Sequence, residues 1–204
     1  LPAMSLPAGY HLHRATSSDL PALIAFLQEK GTGRQFFPRY QLTDFTYGLL
    51  RGLQPEDILL ATANGQIKGC LGLWNQKSFK QSIVQDYSPF LKTVRPLYNL
   101  YAHTTRRTRL PKPGDSFSYL NVAIPVAENE TILFALLTQA QRSPVASGQT
   151  LLTGLFDTDP LALPLKKFTS HCYQSTIYVV HWPWQSDPLQ NLDTRTPYLE
   201  LGAL

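Results

Sequence analysis

The chain has 204 residues, 43% of them hydrophobic and 11% aromatic, with a formal net charge of +4 at neutral pH. That length suits one well-buried domain and is barely enough for two small ones. No run approaches the ~18 apolar residues of a membrane helix, and two cysteines are too few for a disulfide scaffold. A mean hydropathy of -0.16 suits a soluble globular protein. Charged residues make up 16%, below the roughly 25% usual in soluble domains, so apolar surface is left for a partner domain or a second copy to cover. The chain begins at Leu1 and its only methionine is Met4, which reads as a piece of a longer protein. It shows no basic segment followed by a long apolar core, and the expected compartment is the cytoplasm, with Cys70 and Cys172 as buried free thiols.

Residues 1–9 read as a tail. Tyr10-His-Leu-His-Arg-Ala-Thr16 reads as a strand that gives way to an amphipathic helix over 17–29. Ser17, Ser18 and Asp19 can each cap that helix, Pro21 suits its first turn, and Leu20, Leu23, Ile24 and Leu27 share one face. A second helix is expected over 42–53, with Leu42, Phe45, Leu49 and Leu50 on one side. Strands over 58–63 and 66–74 flank Asn64-Gly65, a dipeptide that favours a type I′ hairpin turn.

Residues 77–112 carry Lys77, Lys80, Lys92, Arg95, Arg106, Arg107, Arg109 and Lys112 against a single acid, Asp86. Tyr87, Phe90, Tyr98 and Tyr101 are interleaved, and the spacing is helical, broken at Pro89 and Pro96. Beyond Leu110-Pro-Lys-Pro-Gly114, strands are expected over 117–124, 150–156, 175–182 and 197–201. Helices are expected over 131–141 and 160–168, with a loop over 183–196. This alternation implies parallel pairing within a mixed sheet, an α/β (α+β) fold.

The opening strand with its Arg14-Ala15-Thr16 end, the capped helix and the Asn64-Gly65 hairpin resemble the first helix and first three strands of the Gcn5-related N-acetyltransferase (GNAT) superfamily. The order of elements over 10–204 is similar throughout. The resemblance implies one domain with a central mixed β-sheet flanked by helices, carrying 77–112 as a basic helical elaboration between the third and fourth strands. It also implies acyl-CoA-dependent N-acyl transfer, in which a small-molecule amine attacks the thioester of acetyl-CoA or another acyl-CoA. Backbone N–H groups of Val122, Ala123 and Ile124, at the place of the family's bulged fourth strand, would polarise the carbonyl oxygen. Asn129 and Glu130 fall at the family's coenzyme-binding loop.

That loop has the pattern Gln/Arg-x-x-Gly-x-Gly/Ala, because glycines let backbone amides approach a pyrophosphate at a helix N-terminus. Here the stretch is Pro125-Val-Ala-Glu-Asn-Glu-Thr131, with no glycine and no basic residue. Glu128 and Glu130 would repel a phosphate by about 1 kcal/mol each at ~4 Å in water, and by more where water is excluded. The family's Asn-x-x-Ala helix, with a tyrosine that protonates the leaving thiolate, is matched by Asp159-Pro-Leu-Ala162. Phe168 stands where the tyrosine is expected, and a ring without a hydroxyl is no general acid. Tyr173 is the nearest phenol and becomes the candidate acid. Asp157 and Asp159 flank the end of an expected parallel strand, where open sheets place ligands. Asp157 is the candidate base for an amine, and either aspartate can instead cap the helix from Pro160.

Two function classes stay open: an active N-acyltransferase, and a catalytically silent domain that dimerises or accompanies another acyltransferase domain of the same chain. No metal is expected. His11 and His13 share a strand face, but no third ligand has suitable spacing, so that face is expected to be exposed. His171 and Cys172 would point to opposite strand faces. Trp74-Asn75-Gln76 either offers amides to a ligand or ends the hairpin under a covering ring. A nucleic-acid role for 77–112 is set against a solvated basic helix face, and the modest net charge favours the latter. No membrane partner is expected.

Overall fold

A computed structural model describes residues 6–105, 107–178, 180–182, 184, 190 and 192–203. Five strands form one mixed sheet: β1 (Tyr10–Arg14), β3 (Ile58–Ala63), β4 (Gln66–Trp74), β5 (Tyr119–Ala127) and β6 (Thr150–Leu152), neighbours in that order. The first three pairings are antiparallel and the β5–β6 pairing is parallel. A separate two-residue parallel ladder joins β2 (Arg34–Gln35) to β7 (Thr196–Pro197). The α+β class and the mixed sheet read from the sequence are therefore present.

Helix α1 (Leu20–Gly31) covers one face of the sheet and α3 (Glu130–Arg142) the other. Leu23 and Leu27 pack with Ile58, Leu60, Cys70, Ile124 and Val126 on the first face. Ile132, Leu133, Leu136 and Leu137 pack with Leu59, Leu71, Leu73 and Val122 on the second. A Cβ at Gly69 would lie 2.7 Å from Ile132, so α3 approaches β4 as closely as glycine allows there. The hairpin turns through Asn64 (φ 51) and Gly65 (φ 72), as a type I′ turn requires. Helix α2 (Pro89–Thr104) forms within the basic elaboration, and of its residues only Ala102 is buried.

Several expectations are corrected. Of Ser17, Ser18 and Asp19, only Asp19 stands at the N-cap of α1, and its side chain makes no capping bond there. Thr16 opens a preceding 3-10 turn, and its backbone N–H and hydroxyl donate to the Asp19 carboxylate at 2.8 and 2.7 Å. Those bonds hold the Asp19 carboxyl below its ordinary range. The helix expected over 42–53 is one 3-10 turn, Leu42–Phe45. The Asp44 carboxylate accepts from the backbone N–H of Gln41 at 2.7 Å and of Leu49 at 3.4 Å, and Gly52 turns at φ 85. A side chain competing for backbone donors and a left-handed turn end so short a helix.

Strand β5 begins and ends later than 117–124 and takes in Pro125, Val126 and Ala127 of the expected loop. Strand β6 stops at Leu152 rather than 156, and 160–167 is a 3-10 helix. Among the described residues of 175–182 there is no strand, and Val179 lies outside them. Instead of a strand over 197–201, β7 covers only Thr196–Pro197 and a 3-10 turn follows at Leu201–Ala203. Residues 1–5 of the expected tail, and 183, 185–189 and 191 of the expected loop, lie outside the described residues. Cys70 is buried as expected, but Cys172 is exposed. Among the described residues, no helix is long and apolar enough to cross a membrane.

Candidate functional site: the β5 bulge

The register between β4 and β5 shifts in the middle of the sheet. Cys70 faces Val126 and Gly72 faces Ala123, so Ile124 and Pro125 together oppose Leu71 alone. This is a β-bulge, with Ile124 at φ 44. A proline, unable to donate to a ladder, is tolerated in a central strand at such a point. Next to the bulge, β6 pairs with β5 only from Tyr119 to Asn121, because β6 ends at Leu152. At the bulge the Ile124 N–H is left out of the ladder and takes a side-chain acceptor.

That donor is already engaged. Glu200, 5% exposed, accepts through Oε2 from Ile124 N–H at 2.8 Å, from the Tyr198 hydroxyl at 2.8 Å and from the Tyr40 hydroxyl at 3.2 Å. Burial raises the Glu200 carboxyl above its ordinary value, and the Ile124 N–H opposes that rise. Burial first, and the Glu200 charge second, push both phenols upward, so they remain donors. Cys70 lies at the same point. Its Sγ donates to the Ile124 carbonyl at 3.3 Å, and burial raises its thiol too.

The segment carrying Glu200 is fastened on both sides. Gly202 O accepts from Gln76 Nε2 at 2.6 Å, and Gln76 Oε1 accepts from Asn121 Nδ2 at 2.6 Å. A Cβ at Gly202 would stand 2.6 Å from the Trp74 ring, so the chain passes directly under that indole. Trp74 and Gln76 thus serve as the covered strand end rather than as free amides. Tyr198 packs against Phe37 with centroids 4.4 Å apart and the rings tilted by 44°.

Of the residues singled out from the sequence, Val122, Ala123 and Ile124 all line this part of β5 and are buried. Asn129 caps α3 with its own side chain, accepting from Ile132 N–H at 3.1 Å, and Glu130 is the first helical residue. Glu128 sits between Lys30 and Lys68, at 3.3 Å from each ammonium. Tyr173 is 71% exposed, Asp157 is exposed as well, and neither is hydrogen-bonded to the cluster. Asp159 is the aspartate that caps, accepting from Leu161 N–H at 2.9 Å, and it is also ion-paired with Arg34. Phe168 packs on Phe134 of α3. His11 and His13 are exposed, and among the described residues no cluster of three or more His, Cys, Asp or Glu side chains could hold a metal.

Glu200, Tyr40 and Tyr198 were not singled out from the sequence. A signal was present: Glu200 is the lone acid in the apolar run Tyr198-Leu-Glu-Leu201, where a carboxylate needs a buried partner. The fold and cluster define a mixed α+β domain whose sheet is bulged beside a buried carboxylate. A scan against known protein families and a search of curated proteins find no match to this chain.

Proposed function

We propose that this chain is a GNAT-like domain that is catalytically silent and serves as a dimerisation module. One observation carries the reading. The Ile124 N–H, at the bulge where the resemblance calls for a donor to a thioester oxygen, is occupied by the Glu200 carboxylate of the chain itself. The rest of the chain agrees with it. Acyl-CoA needs backbone amides and cations at the start of α3, and that helix offers Asn129 as its own cap between Glu128 and Glu130. The residues present do not fit the coenzyme, so no transfer step is derived through it.

Dimerisation is supported by what the monomer leaves open. Ile177, Tyr178 and Val180 are large, apolar and exposed, Val180 by 90%. No backbone hydrogen bond joins residues 171–178 to the rest of the described chain. Strand β6 lies at the edge of the sheet, and an open edge is a template for another strand. A second copy of this chain supplies both a strand-forming segment and a matching edge, so a two-fold pair closes both. The bulge itself favours the other reading, an acyl-CoA-dependent N-acyltransferase of a small amine, because it is the feature that such a site shares.

The test is to incubate the chain with acetyl-CoA and a panel of amines while its mass is followed by light scattering. The expected result is no thiol release above spontaneous hydrolysis and a dimer mass that falls to the monomer when Val180 becomes Asp. Amine-dependent thiol release would overturn the silent reading, and a monomer at all concentrations would overturn the dimer.

A further inference from the structure

Far along β5 from the bulge, the end of α2, the residues after it and the loop before β6 enclose a cleft of about 580 Å³. It is lined by His103, Arg107, Arg109, Ser116, Ser118 and Ser147 among others, and none of its lining residues is acidic. Lys77 adds a further cation at its rim, donating to Ser118 Oγ at 2.9 Å. The nearest acid in sequence, Asp115, turns its carboxylate to the Lys112 backbone N–H at 3.3 Å.

The cations around this cleft have no counter-charge. Among the described residues, the ion pairs engage Lys30, Arg34, Lys68, Lys92 and Arg195, and none engages Lys77, Arg107 or Arg109. Arg109 instead meets the ring nitrogen Nδ1 of His103. Arg107 is held over the Tyr101 ring, 5.5 Å from its centroid. Like charges gathered in one concavity repel each other unless an anion enters.

We infer that this cleft is a binding site for a small phosphorylated molecule, a phosphate ester or pyrophosphate. None of the residues of the cleft belongs to the bulge on which the silent-domain reading rests. Guanidinium groups match phosphate oxygens in pairs, while the hydroxyls of Ser116 and Ser147 supply further donors; that of Ser118 donates to Gln149 Oε1 at 3.4 Å. The volume lies within the range of small-molecule sites, roughly 300–1,000 Å³, and so exceeds what a lone phosphate needs. Ala102 and Pro111 give the organic part an apolar wall.

Inorganic pyrophosphate is the probe, titrated into the full chain by calorimetry with sulfate as a control for simple ionic strength. Binding should saturate at one equivalent. Ser147→Glu, which puts a carboxylate at the exposed lip, should weaken it at least about tenfold, as should Arg107→Ala with Arg109→Ala. Lys92→Ala, which removes an exposed cation outside the cleft, should leave it unchanged. Amide shifts in the NMR spectrum should concentrate at Ser116, Ser118 and Gly148. Unsaturable binding would overturn the site, and so would equal weakening by Lys92→Ala. A single-stranded oligonucleotide that displaces pyrophosphate and depends on Lys92 would replace it with a nucleic-acid surface.

Discussion

The two ends of β5 differ in how their donors are used. At the bulge, one buried carboxylate collects the free backbone N–H and two phenols, and the C-terminal segment is fastened over it. Beneath α2, three cations and three serines border a cleft that contains no acid. The bulge has the shape of a ligand site with its backbone donor already used, whereas the cations of the cleft, among the described residues, meet only neutral groups and no acid. A concave place can take a ligand only where its polar groups are not already satisfied within the chain.

The largest effect should come from removing the carboxylate at the bulge. Glu200→Ala leaves the Ile124 N–H and two phenols buried without an acceptor, and urea unfolding should show a loss of about 3–5 kcal/mol. Arg34→Ala strands the buried Asp159, which keeps only its Leu161 bond, and should lose about 2–3 kcal/mol in the same assay. Either variant unfolding like wild type would mean that the tail is not held as described.

Glu200→Gln keeps an acceptor oxygen and should cost only about 1 kcal/mol at neutral pH. Its pH dependence sharpens the contrast. Burial raises the Glu200 carboxyl in the folded state, so the folded chain keeps a proton that the unfolded chain has released. The stability contributed by the protonated acid is complete below the unfolded value and is lost as pH rises through the folded one. Thermal unfolding between about pH 4 and pH 8 should therefore show the glutamine variant gaining on wild type as pH rises. A gap that widens instead would place the carboxylate in a favourable charged state.

Smaller effects bound the comparison from outside. Asn129→Ala removes the cap of α3 and should lose about 1 kcal/mol. Leu97→Ser, at a position of α2 that is 72% exposed, should change unfolding by less than about 0.5 kcal/mol.

How much could be read from the sequence followed the range of the interactions. The β1–α1 opening, the Asn64-Gly65 hairpin and α3 depend on neighbours a few residues away, and the structure contains all three. The 42–53 helix failed on a local competitor, since the apolar spacing of Leu42, Phe45, Leu49 and Leu50 says nothing of Asp44 taking backbone donors. The C-terminal third failed for a non-local reason. Glu200 reaches Ile124 across 76 positions of sequence, and Gly202 meets Trp74 from further still. Alternation in 197–201 indicates a strand, but a buried acid finding its donors decides where that strand can lie. The basic segment was legible as helical, but the break expected at Pro96 is absent, since α2 starts at Pro89 and runs through Pro96; the cleft depends on Ser147 and Gly148, far from it in sequence.

In the silent domain proposed above, the chain's own carboxylate closes the bulge to acyl-CoA. Calorimetric titration of acetyl-CoA into the Arg107→Ala, Arg109→Ala chain tests it most directly, because the basic cleft then cannot bind the coenzyme's phosphates. No saturable heat is expected at millimolar ligand. Micromolar binding that survives moderate salt would contradict that closure and return the bulge to the acyltransferases.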